Sequence, residues 1–407
     1  MSVHVAPVTS STIVVAVDVG KTSAVLSVTD AARHRLLAPS EFAMTGSGLT
    51  VATARAMAVT PAAVQVKVGV EAAGHYHRPV LDHRWPNGWE VLELNPAQVA
   101  EQRRVQGRRR IKTDAIDLEA ITELVLAGYG RPVTDRDVVI GEVNAWAVHR
   151  SRRVATRTAT KNQLLGQLDR AFPGLTLALP DVLGTRIGRL VAAEFTDPSR
   201  LAGIGVDRLI RFAAARGLQV RRPVAERVVA AARDALPTRD AVIARRILAA
   251  DLALLADLDA QIQSAETALE LLLPRSPYAT LTSVPGWGVV RVSNYASALG
   301  DPQRWPGPRQ IYRASGLSPM QYESAHKRRD GGISREGSVA LRRALIDLGM
   351  GLWLNEAAAK DYAHALKARG KPGGIIACAL AHRANRIAHA LVRDHATYEP
   401  TRWACSP

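Results

Sequence analysis

Cysteine is nearly absent from this sequence, with only Cys378 and Cys405 among 407 residues. Two thiols so placed cannot make a disulfide framework or a zinc site, so both are read as plain thiols and the fold must rest on a packed core. No apolar run reaches the roughly eighteen residues that a bilayer span needs. The start, Met1-Ser2-Val3-His4, has no basic segment leading into an apolar core and cleavage site. Neither a membrane span nor a secretory signal is therefore expected, and the expected location is cytoplasmic. Acid is also short: 37 Asp and Glu face 53 Lys and Arg, a net charge of +16 with a pI near 10.5. That excess calls for an acidic polymer or surface as partner, nucleic acid first. The abundance of Ala, Arg and Val also fits a GC-rich source genome, which contributes part of the arginine.

The length allows two or three domains, each with a sizeable core. Residues 1–133 alternate β-rich runs with helical stretches, the clearest strands being Ile13 to Val17, Ala24 to Val28, Val64 to Val70 and Val91 to Leu94. This is an α/β pattern. Residues 134–275 read as helical, broken by Phe172-Pro173-Gly174 and Thr196-Asp197-Pro198. Near their end Leu255, Leu258, Ile262, Ala265, Leu269 and Leu272 form a coiled-coil seam that Pro274 stops. Few apolar partners lie nearby in sequence, which points to pairing with a second chain or a distant helix. Residues 276–407 form a third, mainly helical region with a Gly-rich, charged loop over 322–338.

Four carboxylates stand out in the first region. Asp18 ends a strand before a Gly20-Lys21 turn, and Glu71 ends another before Ala72-Ala73-Gly74. Asp114 and Asp117 are spaced to share one helical face. Taken singly, such acids are ordinary surface groups. As an ordered set they suit hard divalent cations, Mg²⁺ or Mn²⁺, which clamp the attacking and leaving oxygens of a phosphoryl displacement.

Basic residues adjoin this set. Arg103, Arg104, Arg108, Arg109, Arg110 and Lys112 precede Asp114, and such a run would draw a phosphate backbone toward the cations. Arg150, Arg153, Arg157 and Lys161 fall on one helical face, which either tracks a nucleic-acid groove or is simply solvated. The turn Val284-Pro285-Gly286-Trp287-Gly288 has the form of a helix-hairpin-helix element, whose glycines Gly286 and Gly288 would let backbone N–H groups meet a phosphate. A plain helix connection is the competing reading. Ser324 and Ser334 both lie amid positive charge, Lys327, Arg328 and Arg335 included, and dense charge can activate a serine nucleophile. Chemistry alone does not choose between them, nor exclude that both only bind phosphate.

The chain resembles the DEDD-type transposases of the insertion-sequence family called IS-one-ten, with its IS-eleven-eleven relatives. The likeness is carried by Val17-Asp18-Val19-Gly20-Lys21, Gly69-Val70-Glu71-Ala72-Ala73-Gly74-His75-Tyr76, Asn95-Pro96 and Lys112 through Ala120. It continues in Val284 through Gly288, Gly316-Leu317-Ser318-Pro319, Tyr322-Glu323-Ser324, Ile333 through Gly337 and Leu341 through Leu345. The resemblance implies a RuvC-like (ribonuclease-H-like) domain over 1–133 whose Asp18, Glu71, Asp114 and Asp117 bind Mg²⁺. A helical coiled-coil linker over 134–275 and a C-terminal transposase domain over 276–407 would follow. It implies that Ser324 attacks a DNA phosphodiester to form a covalent intermediate, while Ser334 is structural or contacts phosphate. Ala325 departs from the glycine usual in the family. The resemblance further implies a structured guide RNA, DNA partners at element ends and target, and a homo-oligomer, dimer or tetramer, in a bacterial cytoplasm.

Three rivals remain at this level. An actin-like or sugar-kinase ATPase shares an Asp-x-Gly-Lys-Thr start, here Asp18 to Thr22, but no second phosphate loop is evident over 135–275. A junction nuclease would use the acids with water as nucleophile. A non-catalytic nucleic-acid-binding copy would have little reason to retain all four acids and the serine.

Overall fold

The computed structural model describes residues 12–60, 65–107, 113–133, 137–324 and 327–403, and only the backbone of 321–324, 327–330 and 402–403. The chain divides into two compact units, Met1–Arg136 and Asp137–Pro407.

The first unit is built on a six-stranded sheet. Its elements are β1 (Thr12–Val19), β2 (Ser23–Asp30), β3 (Arg35–Ala43), α1 (Gly46–Val59), β4 (Gln65–Glu71), α2 (Arg78–Leu81), β5 (Trp89–Leu94), α3 (Pro96–Val105), α4 (Asp114–Leu126) and β6 (Arg131–Pro132). The strand order is β3-β2-β1-β4-β5-β6. β1, β4 and β5 run parallel, and β2, β3 and β6 join antiparallel to their neighbours. β1 reads as a continuous apolar run because the sheet is covered on both faces. Val15 and Val17 pack with Leu49, Ala52 and Ala56 of α1. Val14 and Ala16 pack with Leu118, Ile121, Leu124 and Val125 of α4. The second cover sits very close. A Cβ on Gly69 of β4 would lie 2.7 Å from Val125 Cγ2 and 2.9 Å from Ile121 Cγ2, so the missing side chain lets α4 settle onto the strand.

The second unit is mostly helical. Two long helices, α5 (Val138–Ala171) and α10 (Ala241–Leu272), flank α6 (Leu175–Ala178), α7 (Arg186–Glu194), α8 (Pro198–Ala214) and α9 (Arg222–Asp234) in sequence. Then come α11 (Val289–Leu299), α12 (Pro308–Ala314), a hairpin of β7 (Pro319–Ser324) and β8 (Lys327–Ile333), α13 (Val339–Asn355), α14 (Ala357–Ala368) and α15 (Gly373–Asp394). The breaks expected at Gly174 and Pro198 are present: Gly174 takes a left-handed φ of 87° after α5, and Pro198 opens α8 behind the Asp197 cap.

Of the two partners expected for the seam from Leu255 to Leu272, the structure shows the distant helix: the seam is buried within this chain and α10 pairs with α5, Arg150 bonding Glu266 and Arg157 bonding Asp259, so the pairing is antiparallel. Burial of each seam leucine stabilises by about 1.5 to 3 kcal/mol, whereas part-exposed ion pairs give about 1 or less, so the seam holds the helices and the ions set their register. Across residues 275 and 276 one core is continuous, in which Leu269, Leu272 and Leu273 pack with Tyr278, Leu281 and Trp287. The loop expected over 322–338 is largely the β7–β8 hairpin.

The ion pairs also bear on acid stability. Burial pushes the Asp259 carboxyl up, but bonds from Arg189 and Arg157 outweigh it and hold it below its ordinary value. Its contribution is thus present above the unfolded value of about 3.9 and is lost as pH falls through the lower folded value. The urea midpoint of unfolding is expected to fall with pH below about 4, and Asp259→Asn should flatten that fall. An unchanged pH slope in the variant would contradict the assignment.

Candidate active site

Parallel pairing sets Val17 of β1 opposite Val70 of β4, so the next residues, Asp18 and Glu71, stand side by side at the strands' C-terminal ends. Alternation along each strand puts Asp18 on the face of Val14 and Ala16, and Glu71 on the face of Gly69, which is the face that α4 covers. Asp114 and Asp117 occupy the first turn of α4. Asp18 and Glu71 thus adjoin at the strands' C-terminal edge, where open α/β sheets place ligands, and Asp114 and Asp117 stand in the first turn of the helix that covers that sheet face.

The acids are not equivalent. Asp114 is exposed, Asp18 and Glu71 are half-buried, and Asp117 is 1% exposed. Arg103 of α3 donates from Nη1 to Asp117 Oδ1 at 2.5 Å. A buried carboxylate needs such a counter-charge. Sequence alone placed Arg103 with the phosphate-drawing run; here it serves Asp117. Arg108, Arg109, Arg110 and Lys112 of that run lie outside the described residues.

The donor set, four carboxylates without a soft ligand, fits Mg²⁺ or Mn²⁺. Among the described residues no three His, Cys, Asp or Glu side chains are yet close enough to hold a metal. A cation at Asp117 would share the carboxylate with Arg103, which bonds Oδ1. Arg103→Ala is accordingly expected to lower the unfolding free energy by about 1 to 3 kcal/mol in metal-free urea titrations, by removing a charged bond to a buried carboxylate. Added Mg²⁺ should restore more stability to the variant than to the unsubstituted protein. A loss below about 1 kcal/mol would show that Asp117 has no need of this partner.

Ser324 ends β7 at the tip of the hairpin, in register with Lys327, while Glu323 faces Arg328. The side chains of Ser324, Lys327 and Arg328 lie outside the description. The hairpin's base is firmly built, and it explains two sequence motifs at once. Ser334 N–H donates to Ser318 O at 2.9 Å, Arg335 N–H to Gly316 O at 3.0 Å, and Ser338 N–H to Ala314 O at 2.8 Å. Arg342 of α13 closes the base from Nε to Ser315 O at 2.9 Å and from Nη2 to Arg335 O at 2.7 Å. At Gly316 (φ 69°) a Cβ would lie 2.8 Å from Arg342 Nη2 and from Glu336 O, so only glycine lets the two segments cross. Arg342 belongs to the Leu341–Leu345 motif, but its bonds to this base were not legible in the sequence. Arg335 has an exposed side chain and a left-handed backbone (φ 57°).

The remaining basic residues divide. Arg150 and Arg157 are bound to Glu266 and Asp259, so the continuous positive face expected on α5 is partly neutralised by acids seven residues apart on α10. Arg153 and Lys161 are half-buried, and Arg153 Nε is buried with no hydrogen bond among the described residues. Gly286 (φ 79°) packs against α13, where a Cβ would meet Asn355 Nδ2 and Gly351 O at 2.3 and 2.4 Å. Its role is close packing, supported by Trp287 Nε1 donating to Leu348 O at 2.8 Å. Gly288 is exposed at the start of α11, with open space where a Cβ would be.

A family model described as Transposase, of the DEDD IS110 type, matches residues 15–173, the stretch that holds all four acids. A second, described as Transposase IS116/IS110/IS902 family, matches residues 278–363 and includes the hairpin. This chain belongs to the IS110 family of transposases. Transposases cut and rejoin DNA, so it is an enzyme of that kind. Among its relatives is the insertion element IS110 uncharacterized 43.6 kDa protein of Streptomyces coelicolor, 24% identical over 296 residues that cover 71% of this transposase and 72% of the relative. A probable family 20 transposase of Pseudomonas aeruginosa is 28% identical over 299 residues, 71% and 74% of the two chains. The insertion element IS900 uncharacterized 42 kDa protein of Mycobacterium paratuberculosis is 25% identical over 306 residues, 71% and 73%. Among the described residues of this transposase, no helix is long and apolar enough to cross a membrane.

Proposed function

We propose that this transposase moves an insertion sequence by serine recombination. Ser324 forms the covalent DNA link, and Asp18, Glu71, Asp114 and Asp117 bind Mg²⁺ or Mn²⁺ beside it. The observation that supports the reading is the adjacency of Asp18 and Glu71 on neighbouring parallel strand ends, on the sheet face covered by α4, whose first turn carries Asp114 and Asp117. The strand order, an antiparallel β3-β2-β1 followed by parallel β4 and β5, supports a RuvC-like domain.

In this mechanism Ser324 Oγ forms a bond to the scissile phosphorus, one sugar–oxygen bond to phosphorus breaks, and the departing oxygen takes up the proton the serine gives away. A hydroxyl of a second strand then attacks the phosphoserine, and Oγ leaves and regains a proton. Phosphodiester count is conserved, so no nucleotide cofactor is required. A bound divalent cation supplies charge neutralisation to the phosphate oxygens. The chain's own part is to hold four carboxylates at one sheet edge and to present the serine on a hairpin tip with a clamped base.

The net charge of +16 supports polyanionic partners: DNA at element ends and target, and a structured guide RNA that delegates sequence choice to base pairing. A homo-oligomer working in the bacterial cytoplasm completes the reading. The test is an end-bearing DNA duplex incubated with protein and Mg²⁺, quenched in denaturant and digested. A nucleotide-modified peptide containing Ser324 is expected. Modification at Ser334, or cut DNA with no adduct, would reject the serine mechanism.

A further inference from the structure

The second half of α15 and the chain that returns after it line a half-open cavity of about 340 Å³ that neither the acids nor the hairpin uses. His395, with a left-handed φ of 48°, ends α15. The returning segment is fixed where Tyr398 N–H donates to Ser283 Oγ at 2.9 Å.

The lining has two characters. Ile387, Ala390, Ala396 and Tyr398 line an apolar wall, and Arg383, Arg386 and Arg393 give it a cationic rim. Arg393 is held by Asp394 through bonds of 2.7 and 2.8 Å, and Arg383 lies over the Tyr362 ring at 4.2 Å. Glu399 also lines the cavity. Arg386 is exposed and has no ion-pair partner among the described residues. Burial, then Arg393, holds the His389 imidazole below its ordinary value against the opposing pull of Asp394. It is therefore neutral near pH 7, with one donor and one acceptor nitrogen. Burial and the neighbouring Glu356 push the Tyr398 phenol up to about 12, so it too stays neutral.

An aliphatic ligand would leave Arg386 unmatched, and a lone phosphate would leave the apolar wall wet. A flat base with its phosphate satisfies both, by stacking and hydrogen bonds on one side and guanidinium contact on the other. We infer that this cavity receives one unpaired nucleotide of a single-stranded nucleic acid, its base against Ile387, Ala390 and Tyr398 and its phosphate on Arg386. The inference rests on nucleic acid being the substrate, and needs neither the Ser324 nor the metal assignment.

The test is fluorescence anisotropy on the full chain with a labelled single-stranded DNA, an RNA of the same sequence, and the DNA duplex. Ala390→Trp fills the cavity without changing charge. It should weaken single-strand binding about tenfold and duplex binding less than about twofold. Arg386→Gln, at an exposed position, should weaken single-strand binding and lower its salt slope by about one. A loss confined to DNA or to RNA would support the proposal and identify the strand. Unchanged single-strand affinity in either folded variant, or an equal loss for duplex, would overturn it. Covalent adduct yield, scored on the same preparations, reports the Ser324 chemistry separately.

Discussion

Ser324→Ala is expected to eliminate the protein–DNA adduct and to lower strand exchange by at least about four orders of magnitude, because removing a nucleophile removes the reaction's only covalent path. DNA affinity should stay within about twofold, since most of that affinity comes from phosphate contacts elsewhere on a strongly basic surface. Ser334→Ala is the discriminating control. Ser334 donates its N–H to Ser318 O, and its hydroxyl accepts from Glu336 N–H at 3.3 Å, which makes it part of the hairpin's base. Adduct formation should survive that change. An adduct that persists in Ser324→Ala and disappears in Ser334→Ala would exchange the two roles.

Asp18→Asn and Asp114→Asn are expected to lower Mg²⁺-dependent cleavage by about 10³ with salt-sensitive DNA binding intact. Asparagine keeps the shape and removes the charge, so a loss cannot be assigned to altered packing. Asp18 sits at the end of a core strand and Asp114 at an exposed helix start, so the second variant also guards against a folding artefact. Calorimetric titration with Mn²⁺ should show weaker or absent binding in both. Full cleavage activity with unaltered Mn²⁺ binding would remove the carboxylates from the site.

Much of the sheet was legible because β1, β2, β4 and β5 are apolar runs closed by turn residues. β3 was not, since Arg35–Ala43 is a largely exposed edge strand interrupted by Pro39, a residue tolerated only at such an edge. The hairpin was hidden for a related reason: Gly331, Gly332 and a dense run of charge imitate a loop, while its pairing depends on backbone bonds that side-chain pattern does not encode. The four acids could be placed at strand ends and a helix start from sequence. The bond between Arg103 and Asp117 could not, because it depends on how α3 packs against α4. The fate of Arg150 and Arg157 was equally out of reach, their partners lying 116 and 102 residues away.

The antiparallel pair α5 and α10 has one further consequence. Its two ends belong to different cores: Ile140, Val143, Leu269 and Leu272 to the one beneath α13 and α15, Leu164, Leu168, Leu248 and Leu255 to the one formed with α7 to α9. The helices between are a ruler. Seven residues added to both would lengthen it by about 10 Å and return every seam leucine to the same phase. The distance between the two cores is therefore a quantity that insertion or deletion can reset in whole steps, with neither core rebuilt.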